Sequence, residues 1–209
     1  MKFFLLRNEE DFGTKYARSG GYWPFESMIF FESIPENHKQ RLLEFWKINP
    51  GQSGMKIDQG GINWPDSLRI FGLGWPSSCC SSRVIDDLRE TGIEIWRTTA
   101  MPISMIKSKR LLKKPAPMYY VLEAEPGIDV DYQASGLPVG DDGEPILRLR
   151  TRDAKGPFTV RSSSWNGKHL LSFRTSIAST LTVLCTEKIK ALCEEKGWTN
   201  FRFEEIPSL

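Results

Sequence analysis

The residues that most constrain the fold are 181–207, LTVLCTEKIKALCEEKGWTNFRFEEIP, because each part of this stretch has one apolar side and none of it is stable alone. Leu181, Val183 and Cys185 alternate with Thr182 and Leu184, the period of a β-strand with an apolar face. Thr186 stands where a helix N-cap belongs, Glu187 follows in the first turn, and Ile189, Leu192 and Cys193 form one stripe on a helix of about two and a half turns. Gly197 comes just after the last periodic residue, where a left-handed conformation satisfies orphan carbonyls, and Lys196 places positive charge at the negative helix end. Phe201, Phe203 and Glu205 then share one face of a second strand, and Arg202 and Glu204 the other. Such a strand–helix–strand unit must pack on something, so it closes a larger domain.

A second stretch repeats the pattern. Residues 81–92, SSRVIDDLRETG, read as a hydroxyl-capped helix stopped by Gly92, and residues 93–96 read as the following strand, which predicts a weak internal repeat. Residues 2–7 read as a first strand, with Phe3 and Leu5 on one face and Phe4 and Leu6 on the other, hence covered on both sides. Pro35 opens a helix with Leu42, Leu43 and Trp46 on its stripe, stopped by Asn49, Pro50 and Gly51. Residues 8–21 read as loop. So do residues 50–78, with six glycines and two Trp-Pro pairs, apart from a short apolar run at 68–71. Strands are expected at 118–125, ended by Pro126 and Gly127, and at 146–152, 158–161 and 170–173, with turns at 136–145 and 162–167. At 209 residues and 40% hydrophobic content the chain can bury a sizeable core. The elements predict an α+β fold, a mixed and largely antiparallel sheet with about three helices. They are expected to form a single domain over 1–209, with repeated halves near 1–115 and 116–209.

Lys and Arg total 28 against 26 Asp and Glu, a net charge of +2 that gives no general pull towards nucleic acid or a membrane surface. The N-terminus has too short an apolar run for a signal peptide, and no segment approaches the length of a membrane span, so a cytoplasmic protein is expected. Cys79 and Cys80 are adjacent, while Cys185 and Cys193 lie across a helix start; neither spacing suits zinc, and buried reduced thiols are expected. No metal or cofactor is predicted. His38 and His169 have no partner at catalytic spacing, and no phosphate loop, dinucleotide fingerprint or nucleophile elbow is present, so an enzyme is not expected. Two charged clusters remain. Lys107, Lys109, Arg110, Lys113 and Lys114 form a basic run, and Asp141, Asp142 and Glu144 an acidic turn. Each reads first as a solvated edge or hairpin tip, but separated basic and acidic faces suit docking better than turnover.

The closing unit also carries a resemblance. Phe173-Arg174-Thr175-Ser176, the strand at 181–184, the helix opening at Thr186-Glu187, Gly197 and Phe201-Arg202-Phe203-Glu204, together with the opening residues 1–7, resemble the C-terminal part of the double-CXXCG-motif proteins. They are similar too to the related immunity proteins of bacterial polymorphic-toxin systems. The name-giving cysteine pairs are absent, both near Tyr22-Trp23-Pro24 and in residues 156–167, so turns and tryptophans would hold the loops that zinc holds in the others. The resemblance implies a cytosolic protein that binds a cognate toxin and occludes it without catalysis. Trp64, Trp75 and Trp165, in turn-rich loops, are then candidate anchors, and the basic run or acidic turn would supply complementary charge. The alternative is a small-ligand protein or enzyme with an anion pocket at Arg148, Arg150 and Arg152, which alternate along one expected strand.

Overall fold

The computed structural model describes residues 1–8, 18–23, 54–59, 63–69, 78–101, 103–106, 108–141, 143, 145, 158–174 and 182–209. Among these the fold is α+β, with two helices and three mostly antiparallel sheets, two of them mixed. The helices are slightly fewer than expected. The helix read from Pro35 and the strand at 146–152 lie outside the described residues.

The largest sheet grows around the first strand. β1 (Phe3–Asn8) pairs antiparallel with β12 (Leu184–Thr186) on one side and β13 (Phe201–Ile206) on the other. β11 (Leu170–Arg174) continues the sheet from β12 and turns at a bulge between Ser172 and Phe173 to pair parallel with β9 (Pro126–Asp131). β10 (Thr159–Arg161) lies antiparallel beside β9. The order is therefore β10-β9-β11-β12-β1-β13, and the residues after β13 return to the free edge of β10. Val160 N donates to Pro207 O, Leu209 N to Val160 O and Ser162 N to Leu209 O, each at 2.9 Å, so the sheet closes on itself. Alternation along closed strands sends one set of side chains inward. Phe3, Ile128, Val130, Val160, Leu171, Phe173, Leu184 and Ile206 fill the interior, which is packed core and not a channel.

A four-stranded sheet, β4-β5-β8-β6, comprises β4 (Ser67–Arg69), β5 (Ser78–Ser81), β8 (Tyr119–Glu123) and β6 (Arg97–Met101). Its helix α1 (Ser82–Glu90) follows β5, as α2 (Glu187–Lys196) follows β12. The predicted repeat is thereby visible in topology. In β5–α1–β6 and in β12–α2–β13 two parallel strands flank one antiparallel strand, β8 in the first unit and β1 in the second. β4 and β11 extend the two sheets at equivalent edges. At one constant spacing, Cys80 matches Cys185, Ser81 matches Thr186, Gly92 matches Gly197 and Ile93 matches Trp198. Neither unit is a contiguous half of the chain, because the second takes its central strand from the N-terminus.

Both helices end as the glycines predict. Gly92 (φ 70°) and Gly197 (φ 63°) are left-handed, and the next residue donates back into the last turn: Ile93 N to Leu88 O at 2.9 Å and Trp198 N to Cys193 O at 3.0 Å. The N-caps differ from expectation in the same way. Ser81 and Thr186 occupy cap positions, but neither hydroxyl caps its helix. Ser81 Oγ donates to Asp66 Oδ1 at 2.9 Å, and Thr186 Oγ1 lies 2.9 Å from His169 Nδ1, so tertiary partners outcompete the local cap. The buried stripes, Val84, Ile85 and Leu88 on α1 and Ile189, Leu192 and Cys193 on α2, join Phe4, Leu6, Cys80, Leu122, Cys185 and Trp198 in one core.

Three further expectations are corrected. Residues 93–96 are not a strand: Ile93 turns into the core behind Gly92, and pairing with β8 begins only at Arg97 opposite Glu123. Pro126 and Gly127 do follow the end of β8 at Glu123, but they also open a strand that was not expected, β9, where a parallel partner accepts a proline at the first position. A Cβ on Gly127 would come within 2.7 Å of the Asn166 side chain, so close packing and not strand propensity explains this glycine. Finally, β2 (Arg18–Trp23) and β3 (Gly54–Gln59) form strands inside stretches read as loop and make a three-stranded sheet with β7 (Ile103–Ile106). Backbone pairing there overrides a composition poor in strand formers.

The two units are locked together by polar bonds between residues 66–67 and 199–200. Asp66 Oδ2 accepts from Thr199 N and Thr199 Oγ1 at 3.0 Å, and Ser67 N donates to Thr199 O at 3.1 Å. Asn200, left-handed at φ 66°, donates from Nδ2 to Ser67 O at 2.6 Å. Trp198 Nε1 donates to Asp87 on α1 at 2.6 Å.

Candidate interaction surface

Five large apolar side chains are exposed among the described residues, and two of them, Met1 and Leu209, are chain ends. The other three, Trp96, Leu112 and Met118, all belong to the segment that runs from α1 to β8. The chain dictates each position. After Gly92, Ile93 is drawn into the core, and Glu94 faces out and binds Lys168 Nζ at 2.8 Å. Trp96 then lies before the first paired residue of β6, 39% exposed, with the Arg97 guanidinium 4.7 Å from its ring centroid. Arg89, Ile95, Trp96, Arg97 and Thr98 line a groove of about 320 Å³ between the last turn of α1 and the start of β6.

β6 runs antiparallel to β8, from Arg97 opposite Glu123 to Met101 opposite Tyr119, so the far end of the pair lies beside Met118, about 13 Å away. The basic run folds near that end. Leu112 N donates to Ser108 O at 3.1 Å and Lys114 N to Leu111 O at 2.9 Å, making a 3-10 turn over Leu111–Lys113. So short a turn can bury only one of two adjacent leucines. Leu111 is fully buried and Leu112 is 61% exposed, surrounded by exposed Lys109, Arg110, Lys113 and Lys114. Lys114 Nζ donates to Asn63 Oδ1 at 2.9 Å, and Tyr119 OH to Pro65 O at 2.6 Å, which ties this turn to the segment carrying Trp64. Trp64 itself is half-buried, its ring 6.5 Å from that of Tyr119.

The remaining candidates lie elsewhere. Trp165 is half-buried: its indole N–H donates to Lys168 O at 2.8 Å and its ring meets Phe3 edge-on at 6.0 Å, which makes it a cover for the closed sheet. Asp141 is exposed in a turn pinched by a bridge between Val139 and Pro145, with Gly143 at φ 77°. Trp75, Lys107, Asp142, Glu144, Arg148, Arg150 and Arg152 lie outside the described residues. The structure therefore brings Trp64 close to the basic run and leaves Trp165 and Asp141 apart from it. Sequence reasoning passed over Trp96 and Arg89, which it took for parts of a regular strand and helix, and also Arg97 and Leu112. The available signal was Leu111-Leu112 itself, adjacent apolar residues inside a charged run.

Several titratable groups away from this surface are buried. Burial pushes the Cys80 thiol up to about 12, and raises Cys79, Cys185 and the Tyr119 hydroxyl, so none supplies a thiolate or phenolate near neutral pH. Partial burial, with Lys188 nearby, lowers His169. Among the described residues no group of three or more His, Cys, Asp or Glu could hold a metal, and no helix is long and apolar enough to cross a membrane. Set against protein-family models and curated proteins, the chain matches none.

Proposed function

We propose that the chain is an immunity-type binding protein of the cytoplasm that neutralises a cognate bacterial toxin by occluding it, without catalysis. The observation that carries this reading is the coincidence of Trp96, Leu112 and Met118 with Arg89, Arg97, Lys109, Arg110, Lys113 and Lys114 along one segment. Exposed apolar anchors within a cationic rim fit a protein partner with an acidic face and apolar pockets. The cations gather on this segment although the net charge of the chain is only +2, so the attraction is local and selective. The resemblance of the closing unit to immunity proteins supports the choice of a toxin as partner.

Co-expression with the product of the neighbouring reading frame, scored by growth rescue and co-purification, tests the proposal. Rescue with a stable complex is expected. Replacing Leu112 by Ser together with Lys109, Arg110 and Lys113 by Glu should weaken the complex by at least about tenfold. The same changes, at exposed positions, should move stability by no more than about 0.5 kcal/mol each. A harmless neighbour that does not co-purify would overturn the reading.

A further inference from the structure

We infer that the groove between α1 and β6 receives an acidic segment of the protein partner, seating one aspartate or glutamate carboxylate between Arg89 and Arg97 and an adjacent apolar side chain against Trp96. This rests on the binding role above and names the chemistry that one part of the surface recognises. Arg97 has no ion-pair partner among the described residues, and its stacking on Trp96 holds the guanidinium plane and leaves N–H edges for a carboxylate. Among the described residues Arg89 forms an ion pair with Asp86 alone, at 3.8 Å with both side chains more than 60% exposed, a contact that water competes for readily. Glu94 is engaged with Lys168, and Asp87 with Trp198 and Lys196; Glu123 lies opposite Arg97 in the strand register but is buried, and Glu90 is exposed on α1. Among the described residues, the exposed Asp86 is the one carboxylate within ion-pair distance of these two guanidiniums beside the part-exposed indole.

The ligand is a carboxylate and not a phosphate, because the groove borders the negative C-terminal end of α1 and exposed Glu90, which penalise a dianion more than a single charge. The groove holds one acidic and one apolar side chain, yet it is too open to bury a free small molecule. Affinity must come from a longer segment that continues along β6 towards Met118 and Leu112.

The test uses the full chain and an acetylated, amidated peptide of alternating glutamate and phenylalanine, with a glutamine-for-glutamate counterpart and phosphotyrosine as comparison probes. The readout is the NMR signal of the Trp96 indole, assigned by its loss in Trp96→Phe. A saturable shift is expected with the glutamate peptide, about tenfold weaker with the glutamine peptide and about tenfold weaker in Arg97→Gln or Arg89→Gln. Equal binding of the two peptides, no shift with either, tighter binding of phosphotyrosine, or unchanged affinity in both arginine variants would overturn the inference. Glutamate-peptide binding without growth rescue would remove the toxin and keep the groove chemistry. Rescue that Arg97→Gln and Arg89→Gln leave intact would do the reverse.

Discussion

Where β13 begins, Phe201 is 8% exposed and packed against Trp198 and Phe203; at the matching position before β6, Trp96 stands half in solvent beneath Arg97. The two positions belong to units with the same strand order, the same left-handed glycine stop and the same diversion of the cap hydroxyl. What differs is what covers the two positions: Phe201 belongs to the core that the two helices share, and Trp96 does not, and the sheets differ in closure as well. The second unit is part of a sheet completed by residues 207–209, while the first ends in β6, which pairs only with β8 among the described residues. Closure covers the inward face of the strands and leaves no free edge, although Arg161, Arg174, Arg202 and Glu205 on those strands stay exposed. An open sheet leaves anchors at its rim, and a shared scaffold can therefore be structural in one copy and adhesive in the other.

The largest effect that would break this comparison is expected at Phe3, inside the closed sheet, whose counterpart Tyr119 carries a hydroxyl bonded to Pro65 O. Phe3→Ala should cost about 3–5 kcal/mol in urea unfolding, and a loss below about 1 kcal/mol would mean that the interior is not packed as described. Next is the joint between the units. Asp66→Ala leaves Ser81 Oγ, Thr199 N and Thr199 Oγ1 without their acceptor and should cost about 3 kcal/mol. If it separates unfolding into two transitions, the units are held together chiefly by this site.

The equivalence of the helix stops makes a sharper claim. Gly92→Ala and Gly197→Ala meet no neighbour within 4 Å, so both should cost about 1–2 kcal/mol from left-handed strain alone. Costs differing by more than about 1 kcal/mol would deny that the stops are equivalent. The smallest effect concerns His169, which lies beside Thr186 and Trp165 with Lys188 nearby and whose register counterpart in the first unit is Asp66, the acceptor of Ser81. Its folded pKa is lowered below the unfolded value near 6.5, so between the two values the unfolded chain holds more protons. Stability is then complete above about pH 6.5 and declines as pH falls through that window. His169→Gln should flatten that part of the profile of unfolding midpoint against pH; an unchanged slope there would exclude this histidine.

Much of the second unit was legible because local signals coincide in it: alternation in residues 3–6 and 201–205, the stripe of Ile189, Leu192 and Cys193, and a glycine at the helix end. Less of the surface was legible. Trp64 and Trp165 sit in loops as expected, but Trp165 covers the core, and Trp96 looked like a strand residue until Gly92 was seen to direct Ile93 inward. β9 went unread because Pro126 and Gly127 oppose local strand propensity, and only the parallel partner β11 makes them compatible with a sheet.

What the sequence determined by itself was therefore the class of fold, the two helices with their stops, and the two-sided burial of β1, all set by the spacing of apolar residues and by glycine at positive φ. Only the tertiary structure decided which strand centres each unit, that Pro207–Leu209 closes one sheet, and that Trp96 and Leu112 remain in solvent beside arginines and lysines. Those outcomes depend on pairings between distant segments, in which an edge bond or a single buried neighbour outweighs any preference carried by the local residues.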